Sequence, residues 1–153
     1  MARRKRILWI LFALYCAAMG YLLFGREEAP PGLPYAEQMR LRLNLTPLHT
    51  IRRQLHLLSD LERPWLIRHS AINLLGNVIL FIPLGIFLPM LAEKLRKFRN
   101  TLLCAAGLIT AVELAQVLTL LGRCDIDDLI LNLLGAAVGY GLYKWIFKAS
   151  LPD

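Results

Sequence analysis

Four apolar segments, each close to the length that crosses a bilayer, constrain this chain more than any other feature. They occupy residues 7–24, 70–92, 101–121 and 126–147. A transmembrane helix needs about 20 mostly apolar residues, and 57% of the chain is hydrophobic while only 19% is charged. The sequence therefore predicts an all-α, polytopic membrane bundle of about four transmembrane helices, with no room for a large soluble domain.

The basic residues predict how this bundle is oriented. They cluster before the first segment, between the second and third, and after the fourth: Arg3, Arg4, Lys5, Arg6, Lys94, Arg96, Lys97, Arg99, Lys144 and Lys148. Cytoplasmic loops of membrane proteins carry an excess of Lys and Arg. We therefore expect a multi-pass protein of the plasma (inner) membrane with both termini in the cytoplasm. The net charge of +7 follows mostly from this topology, so nucleic-acid binding is not expected.

The expected organisation begins with a signal anchor. The first apolar segment resembles a signal peptide, but it is longer than the usual apolar core, and Met19-Gly20-Tyr21 is not a small-residue cleavage site. We predict a basic cytoplasmic N-terminus at 1–6, a signal-anchor helix at 7–24, a linker at 25–43, a domain with three further transmembrane helices at 44–147, and a cytoplasmic tail at 148–153.

An amphipathic surface helix is expected in the loop between the first two segments. Thr46 and Pro47 are typical of an N-cap and a first helical residue. Apolar side chains then recur at helical spacing at Leu48, Ile51, Leu55, Leu58 and Leu61. Such a helix either lies on the outer membrane surface or covers the bundle, and the sequence leaves both interpretations open.

Polar side chains inside or beside three of the apolar segments form the candidate site. Polar groups in hydrocarbon are unfavourable, and those that occur there are usually functional. The helical rise of about 1.5 Å per residue puts those inside the segments at similar depths in the outer half of the bilayer, namely Asn73, Asn77, Glu113, Gln116 and Asn132. The full set of candidate residues is Asn73, Asn77, Glu113, Gln116, Arg123, Asp125, Asp127, Asp128 and Asn132. We therefore predict a polar site that opens away from the cytoplasm.

Structural roles compete with this interpretation. The motif Asn-Leu-Leu-Gly occurs twice, at 73–76 and 132–135, and asparagines in membrane helices often link neighbouring helices, at ~0.6 kcal/mol each. Acidic residues also suit the N-terminus of a helix. Glu113 is harder to explain in this way, because an acid in the middle of a membrane helix costs ~2.5–3.5 kcal/mol. Gly135 and Gly139 predict close packing of the fourth segment against a neighbour.

Four motifs together resemble the VanZ-like membrane proteins. They are Asn44-x-x-Pro47; Asn73-x-x-Gly76-Asn77-x-x-x-Phe81-x-Pro83-Leu84-Gly85-x-x-Leu88-Pro89; Glu113-x-x-Gln116; and Arg123-x-Asp125-x-Asp127-Asp128-x-x-x-Asn132-x-x-Gly135. The resemblance covers nearly the whole chain after the linker, so residues 44–147 would form a VanZ-like domain. The chain departs from the family pattern at Leu48, where Phe is common, and in the turn from Arg123 to Asp125, which is one residue shorter.

The resemblance implies a protein of the cell envelope. The namesake is associated with resistance to teicoplanin, a lipid-tailed glycopeptide antibiotic that acts on cell-wall precursors outside the membrane. Together with the polar residues, it leads us to expect a site for membrane lipids or a lipid-linked envelope precursor.

Two other hypotheses remain open at this stage. One is an enzyme acting on a lipid phosphate or sugar, with a divalent cation held by Asp125, Asp127, Asp128 and Glu113, because hard cations take oxygen ligands. The other is an oligomeric carrier or assembly partner. Apart from the cation, no cofactor is expected, and the sequence does not decide whether the protein catalyses a reaction.

Overall fold

A computed structural model describes residues 2–24, 32–59 and 62–147. Within them, the elements are α1 (Ala2–Leu23), α2 (Tyr35–Leu41), β1 (Leu43–Asn44), α3 (His49–Leu57), α4 (Pro64–Leu91), a short 3₁₀ helix (Glu93–Arg96), α5 (Phe98–Thr119), β2 (Cys124–Asp125) and α6 (Ile126–Phe147). Four of these helices, α1, α4, α5 and α6, are long and apolar enough to cross a membrane. The predicted all-α membrane bundle is therefore confirmed.

The closest helix pair is α4 with α6. A Cβ atom built on Gly135 would lie 2.1 Å from the carbonyl oxygen of Val78, and one built on Gly139 would lie 2.0 Å from that of Ile82. Moving four residues along α6 moves the contact four residues along α4 in the same direction, so the two helices run parallel. The predicted packing role of these glycines is confirmed, since a larger residue at either position would force the helices apart.

Helix α4 continues through both of its prolines, Pro83 and Pro89. Proline removes one backbone donor and crowds the preceding turn, so it often kinks or breaks a helix. Both prolines instead lie inside one 28-residue helix that packs on α6. A membrane helix can tolerate such residues where its neighbours supply the lost contacts.

Helix α1 lies against α4 and is otherwise largely exposed. The Tyr15 hydroxyl donates a hydrogen bond to the carbonyl oxygen of Leu80 at 2.9 Å, and Phe87 packs edge-on against Phe12. The opposite face of α1 carries exposed apolar side chains such as Leu14. An apolar face of this kind is what a helix in contact with lipid requires.

The short elements gather at one end of the bundle, which we call the cavity end. It comprises α2, α3, the two strands, the N-terminal turns of α4 and the turn between α5 and α6. Strands β1 and β2 pair in parallel, with Leu43 opposite Cys124 and Asn44 opposite Asp125. This pairing fixes the loop after α2 beside the start of α6. Helix α2 lies inside the segment that the sequence suggested was a linker.

Helix α3 differs from its prediction at its start. It begins at His49 and its N-cap is Leu48, which has a left-handed backbone (φ 61°), so Thr46 and Pro47 do not begin the helix. Its buried residues are polar, Thr50 and Gln54, while apolar Leu48 and Leu55 are exposed.

The helix therefore covers the bundle with its polar face and turns apolar side chains outwards. The two interpretations of the sequence are thus compatible: α3 covers the bundle, and its outer face has the character of an interfacial helix. Leu61, predicted to extend the apolar face, lies outside the described residues.

Candidate functional site

A cavity of about 450 Å³ lies between the membrane-crossing helices at the cavity end of the bundle. Its wall includes eight of the nine polar residues proposed from the sequence: Asn73, Asn77, Glu113, Gln116, Arg123, Asp125, Asp128 and Asn132. Four further polar residues, which were not among the candidates from the sequence, also line the cavity: Thr50, Arg53, Gln54 and His69. Side chains from α4, α5 and α6 therefore meet in one chamber, which α3 covers.

The cavity is polar at one end and apolar at the other. Phe81 lies two helical turns deeper in α4 than Asn73, and Ile109 lies about two turns deeper in α5 than Gln116. The apolar floor is completed by Val112. The chamber therefore matches an amphipathic ligand better than a fully polar one.

Asp125 is the centre of a hydrogen-bond network that joins three elements. Its Oδ2 accepts hydrogen bonds from the Thr50 hydroxyl on α3, at 2.6 Å, and from the Asn44 amide on β1, at 3.0 Å. Its Oδ1 accepts from the backbone N–H of Asp127 at 2.9 Å. The side chain is only 8% exposed. These contacts hold α3 over the cavity.

Asp127, the ninth predicted residue, serves a different purpose. Its Oδ1 accepts from the backbone N–H of Leu48 and its Oδ2 from that of Ile51, at 3.0 Å. These N–H groups belong to the first turn of α3, where backbone donors have no partner within the helix. Asp127 is fully buried, and it caps α3 from a different helix. It is not among the residues that line the cavity.

Glu113, the acid in the middle of α5, is buried beside the start of α6. Its Oε2 accepts a hydrogen bond from the backbone N–H of Asp125 at 2.9 Å, and the thiol of Cys124 also bonds to this carboxylate. Cys124 lies outside the membrane-crossing helices. Burial and the neighbouring Glu113 charge raise the pKa of its thiol to about 11.

Two amides connect the helices around the cavity. Asn77 on α4 donates a hydrogen bond to Oδ1 of Asp128 on α6, and Gln116 on α5 donates to the carbonyl oxygen of Leu23 at the end of α1, at 2.8 Å. The helix-linking role that the sequence suggested for Asn73 and Asn132 is filled here by Asn77. Because each amide has further donor or acceptor capacity, this role does not prevent contact with a ligand.

Two other amides leave acceptors unused inside the cavity wall. Among the residues that the structure describes, Gln54 Oε1 and Asn132 Oδ1 meet no hydrogen-bond partner, although the two residues are only 4% and 5% exposed. A buried polar atom without a partner costs ~1–3 kcal/mol.

Helical spacing explains how some of the additional residues could have been found. Thr50 and Gln54 are four residues apart and therefore share one face of α3. His69 lies one turn before Asn73 on α4, so the polar face of that helix extends further towards its N-terminus than Asn73 and Asn77 alone indicate.

The structure gives no support to the divalent-cation hypothesis. Among the described residues, no group of three or more His, Cys, Asp or Glu side chains is arranged to hold a metal ion. Of the four acids proposed as ligands, Asp127 directs both carboxylate oxygens to backbone N–H groups of α3.

Comparison with known proteins settles the family. The family model described as VanZ/LLP1 matches residues 12–148. The chain belongs to the VanZ/LLP1 family. The VanZ match begins within α1, so it extends beyond the 44–147 segment inferred from the motifs. No curated protein and no solved structure matched the chain. With its four apolar helices, it is a VanZ-family membrane protein.

Proposed function

We propose that this VanZ-family protein recognises a lipid or lipid-linked headgroup of the cell envelope in the cavity between α4, α5 and α6. The observation that carries the proposal is a single cavity lined by polar side chains of all three helices, such as Asn77, Gln116 and Asn132. The apolar side chains of Phe81 and Ile109 complete its wall, so the cavity suits an amphipathic ligand.

The shape of the chamber supports a lipid. Its volume of about 450 Å³ falls within the ~300–1,000 Å³ typical of small-molecule sites. The polar residues lie towards the end of the bundle, and Phe81 and Ile109 lie deeper. A headgroup near the membrane surface with its first apolar carbons below it has the same order.

Two arginines favour a phosphate-containing headgroup. Arg53 and Arg123 both line the cavity and both are exposed. The planar guanidinium fork matches phosphate oxygens in a bidentate manner. At the cavity end these side chains would face the headgroup region of the leaflet.

The proposal places the protein in the plasma membrane with the cavity opening away from the cytoplasm. The basic residues at 3–6, 94–99 and 144–148 support this orientation. In it, the ligand would be a lipid or an envelope precursor of the outer leaflet.

Altered susceptibility to teicoplanin is a further part of the proposal. A protein that binds outer-leaflet lipids could change how a lipid-tailed glycopeptide reaches its target. Expression in a sensitive host should then raise the inhibitory concentration of teicoplanin more than that of a glycopeptide without a lipid tail. Equal changes for both antibiotics would contradict this part.

Lipid retention tests the proposed function directly. The protein would be purified in mild detergent and its bound lipids counted by native mass spectrometry, for the wild type, Asn132→Leu and Thr110→Val. Thr110 is a matched control, because it is a polar residue on the exposed side of α5. We expect loss of bound lipid only for Asn132→Leu, with both variants still folded by circular dichroism. Equal retention by all three proteins would refute the proposed site.

A further inference from the structure

We propose that the turn between α4 and α5, residues 93–99, binds the phosphate of an anionic phospholipid in the leaflet at this end of the bundle. We call this segment the basic turn. It follows the last residue of α4, whereas the cavity lies beside the N-terminal turns of that helix, so the two sites are at opposite ends. The inference therefore does not depend on the proposed function of the cavity.

The backbone of the basic turn is held in place by neighbouring side chains. Asn100 donates a hydrogen bond to the carbonyl oxygen of Lys94 at 2.6 Å. Tyr140 on α6 donates to the carbonyl oxygen of Arg96 at 2.7 Å, and the Thr101 hydroxyl donates to the carbonyl oxygen between these two. Because three consecutive carbonyl groups are fixed in this way, the turn has little conformational freedom to lose when it binds a ligand.

The charged side chains of the basic turn are exposed and mostly positive. The four basic ones are Lys94, Arg96, Lys97 and Arg99. Among the described residues at this end of the bundle, the one acid is Glu93, whose Oε1 lies 3.8 Å from the Arg96 guanidinium. The turn therefore presents an excess of positive charge to any group beside it.

Helix α1 adds further positive charge at the same end. Tyr15 bonds to Leu80 and Phe12 packs against Phe87, so α1 runs antiparallel to α4 and its first turn lies near the end of α4. That first turn carries four exposed basic residues, Arg3, Arg4, Lys5 and Arg6. Clusters of four to eight Lys and Arg beside a membrane helix are typical of sites for anionic lipids.

An apolar surface beside the charges favours a lipid over a soluble phosphate. Phe98 lies between Lys97 and Arg99 in the chain, is 49% exposed and packs against Tyr140 with ring centroids 5.2 Å apart. Leu103 lies further along α5 and is 61% exposed. A phospholipid whose phosphate contacts the basic turn can lay its acyl chains along this surface of α5.

Fluorescence quenching by brominated lipids would measure binding at the turn itself. Phe98→Trp would be made in protein in which Trp9, Trp65 and Trp145 are replaced by phenylalanine, and reconstituted in phosphatidylcholine nanodiscs with increasing amounts of brominated phosphatidylglycerol or brominated phosphatidylcholine. Phosphatidylglycerol should bind beside this tryptophan at least about fivefold more tightly, which is the effect of one Lys or Arg near the membrane surface. Equal quenching by the two lipids would overturn the inference.

A second tryptophan shows whether the preference is local. Protein that keeps only Trp65, which is exposed near the cavity end, should be quenched equally by the two brominated lipids. The same preference for phosphatidylglycerol at Trp65 would assign it to the protein surface as a whole and overturn a site at the basic turn.

Variants of the turn test the role of charge. Replacing Lys94, Lys97 and Arg99 by glutamine should reduce the preference to about twofold or less. Exchanging Lys and Arg at the same three positions keeps the charge and should retain the preference. The matched control removes three exposed arginines that lie outside the cavity wall and outside the turn, by Arg40→Gln, Arg52→Gln and Arg68→Gln. An equal loss in this control, or no loss in the turn variant, would contradict the inference.

Salt and a soluble headgroup identify the source of the phosphate. Raising the ionic strength from ~0.1 M to ~1 M shortens the Debye length from ~10 Å to ~3 Å and should weaken the preference. Glycerophosphoglycerol carries the phosphatidylglycerol headgroup without acyl chains, so it should leave the quenching unchanged. Loss of quenching at a concentration equal to that of the lipid would assign the turn to a soluble phosphate ester and overturn the lipid.

Discussion

Gly135 on α6 lies against the carbonyl oxygen of Val78 on α4, so closely that a Cβ atom on the glycine would be 2.1 Å from that oxygen. The contact sets the distance between two parallel helices. Asn132 lies one turn before Gly135, and Asn77 directly precedes Val78. The glycine therefore determines how far apart two polar walls of the cavity stand.

Replacing Gly135 by alanine should separate these helices. We expect Gly135→Ala to lower the free energy of unfolding by about 1–3 kcal/mol, because the added methyl group overpacks the interface. Gly76 is the matched control: it ends the other Asn-Leu-Leu-Gly motif, and a Cβ atom there would meet nothing within 4 Å. Gly76→Ala should be neutral or slightly stabilising. Thermal unfolding in detergent would compare the two, and equal melting temperatures would contradict the packing role.

The two copies of this motif show where sequence reasoning was sufficient and where it was not. Gly135 was predicted to pack closely, and it does, because small residues on a long apolar helix have few other uses. Gly76 has the same neighbours in sequence but faces open space. Which face of a helix meets its partner depends on contacts across the bundle, and a four-residue motif does not contain that information.

Replacing Asp127 by asparagine should release α3 from the bundle, because one of its two acceptor oxygens is lost. Asp127→Asn replaces one carboxylate oxygen by an amide N–H2 that faces backbone N–H groups of Leu48 or Ile51. The loss of about 1.5–3 kcal/mol should accelerate tryptic cleavage after Arg52 or Arg53 by roughly tenfold or more. Glu37→Gln, which removes an exposed acid on α2, is the charge-matched control. Unchanged cleavage in Asp127→Asn would show that this cap is unimportant.

The thiol of Cys124 should react slowly at neutral pH. Burial, followed by the nearby Glu113 charge, raises its pKa to about 11 from the ordinary value of 9.0. Only the thiolate is nucleophilic, so the alkylation rate should reach half of its maximum near pH 11 instead of near pH 9.0. The measurement uses protein in which Cys16 and Cys104 are replaced by alanine.

A second variant identifies the cause of this shift. Glu113→Gln removes one of the negative charges that raise the Cys124 pKa, so the alkylation profile should move to lower pH. Thr110→Val on the same helix should leave the pH dependence of alkylation unchanged. An alkylation rate that reaches half of its maximum near pH 9.0 in the unaltered background would contradict the raised pKa of this thiol.

Reporter fusions test the orientation. Green fluorescent protein fused after the last residue should fluoresce and alkaline phosphatase fused there should be inactive, because the excess of Lys and Arg predicts a cytoplasmic C-terminus. Alkaline phosphatase inserted between Gly122 and Arg123 should be active. The reverse pattern would place the cavity on the cytoplasmic side and exclude an outer-leaflet ligand.

The long helices and the family were predictable because they depend on composition and on motifs that are local in sequence. The contacts by which α3 covers the cavity were not predictable in this way. Asp127 caps a helix that begins almost eighty residues earlier, and Thr50 reaches Asp125 over 75 residues. Such long-range contacts depend on which distant segments the fold brings together.

Helix α3 was therefore predicted with the wrong start and an incomplete polar face. Thr46 resembles an N-cap by local rules, but Leu48 occupies that position, with its N–H bonded to Asp127. Gln54 was not distinguished from its exposed arginine neighbours, because sequence alone does not show which polar residue is buried.

A structure of the protein in lipid nanodiscs would test the central claim most directly. We predict density for a headgroup in the cavity, beside Asn132 and Gln116, with acyl chains leaving past Phe81 or Ile109. A cavity that holds only water, with lipids confined to the outer surfaces of the helices, would contradict it.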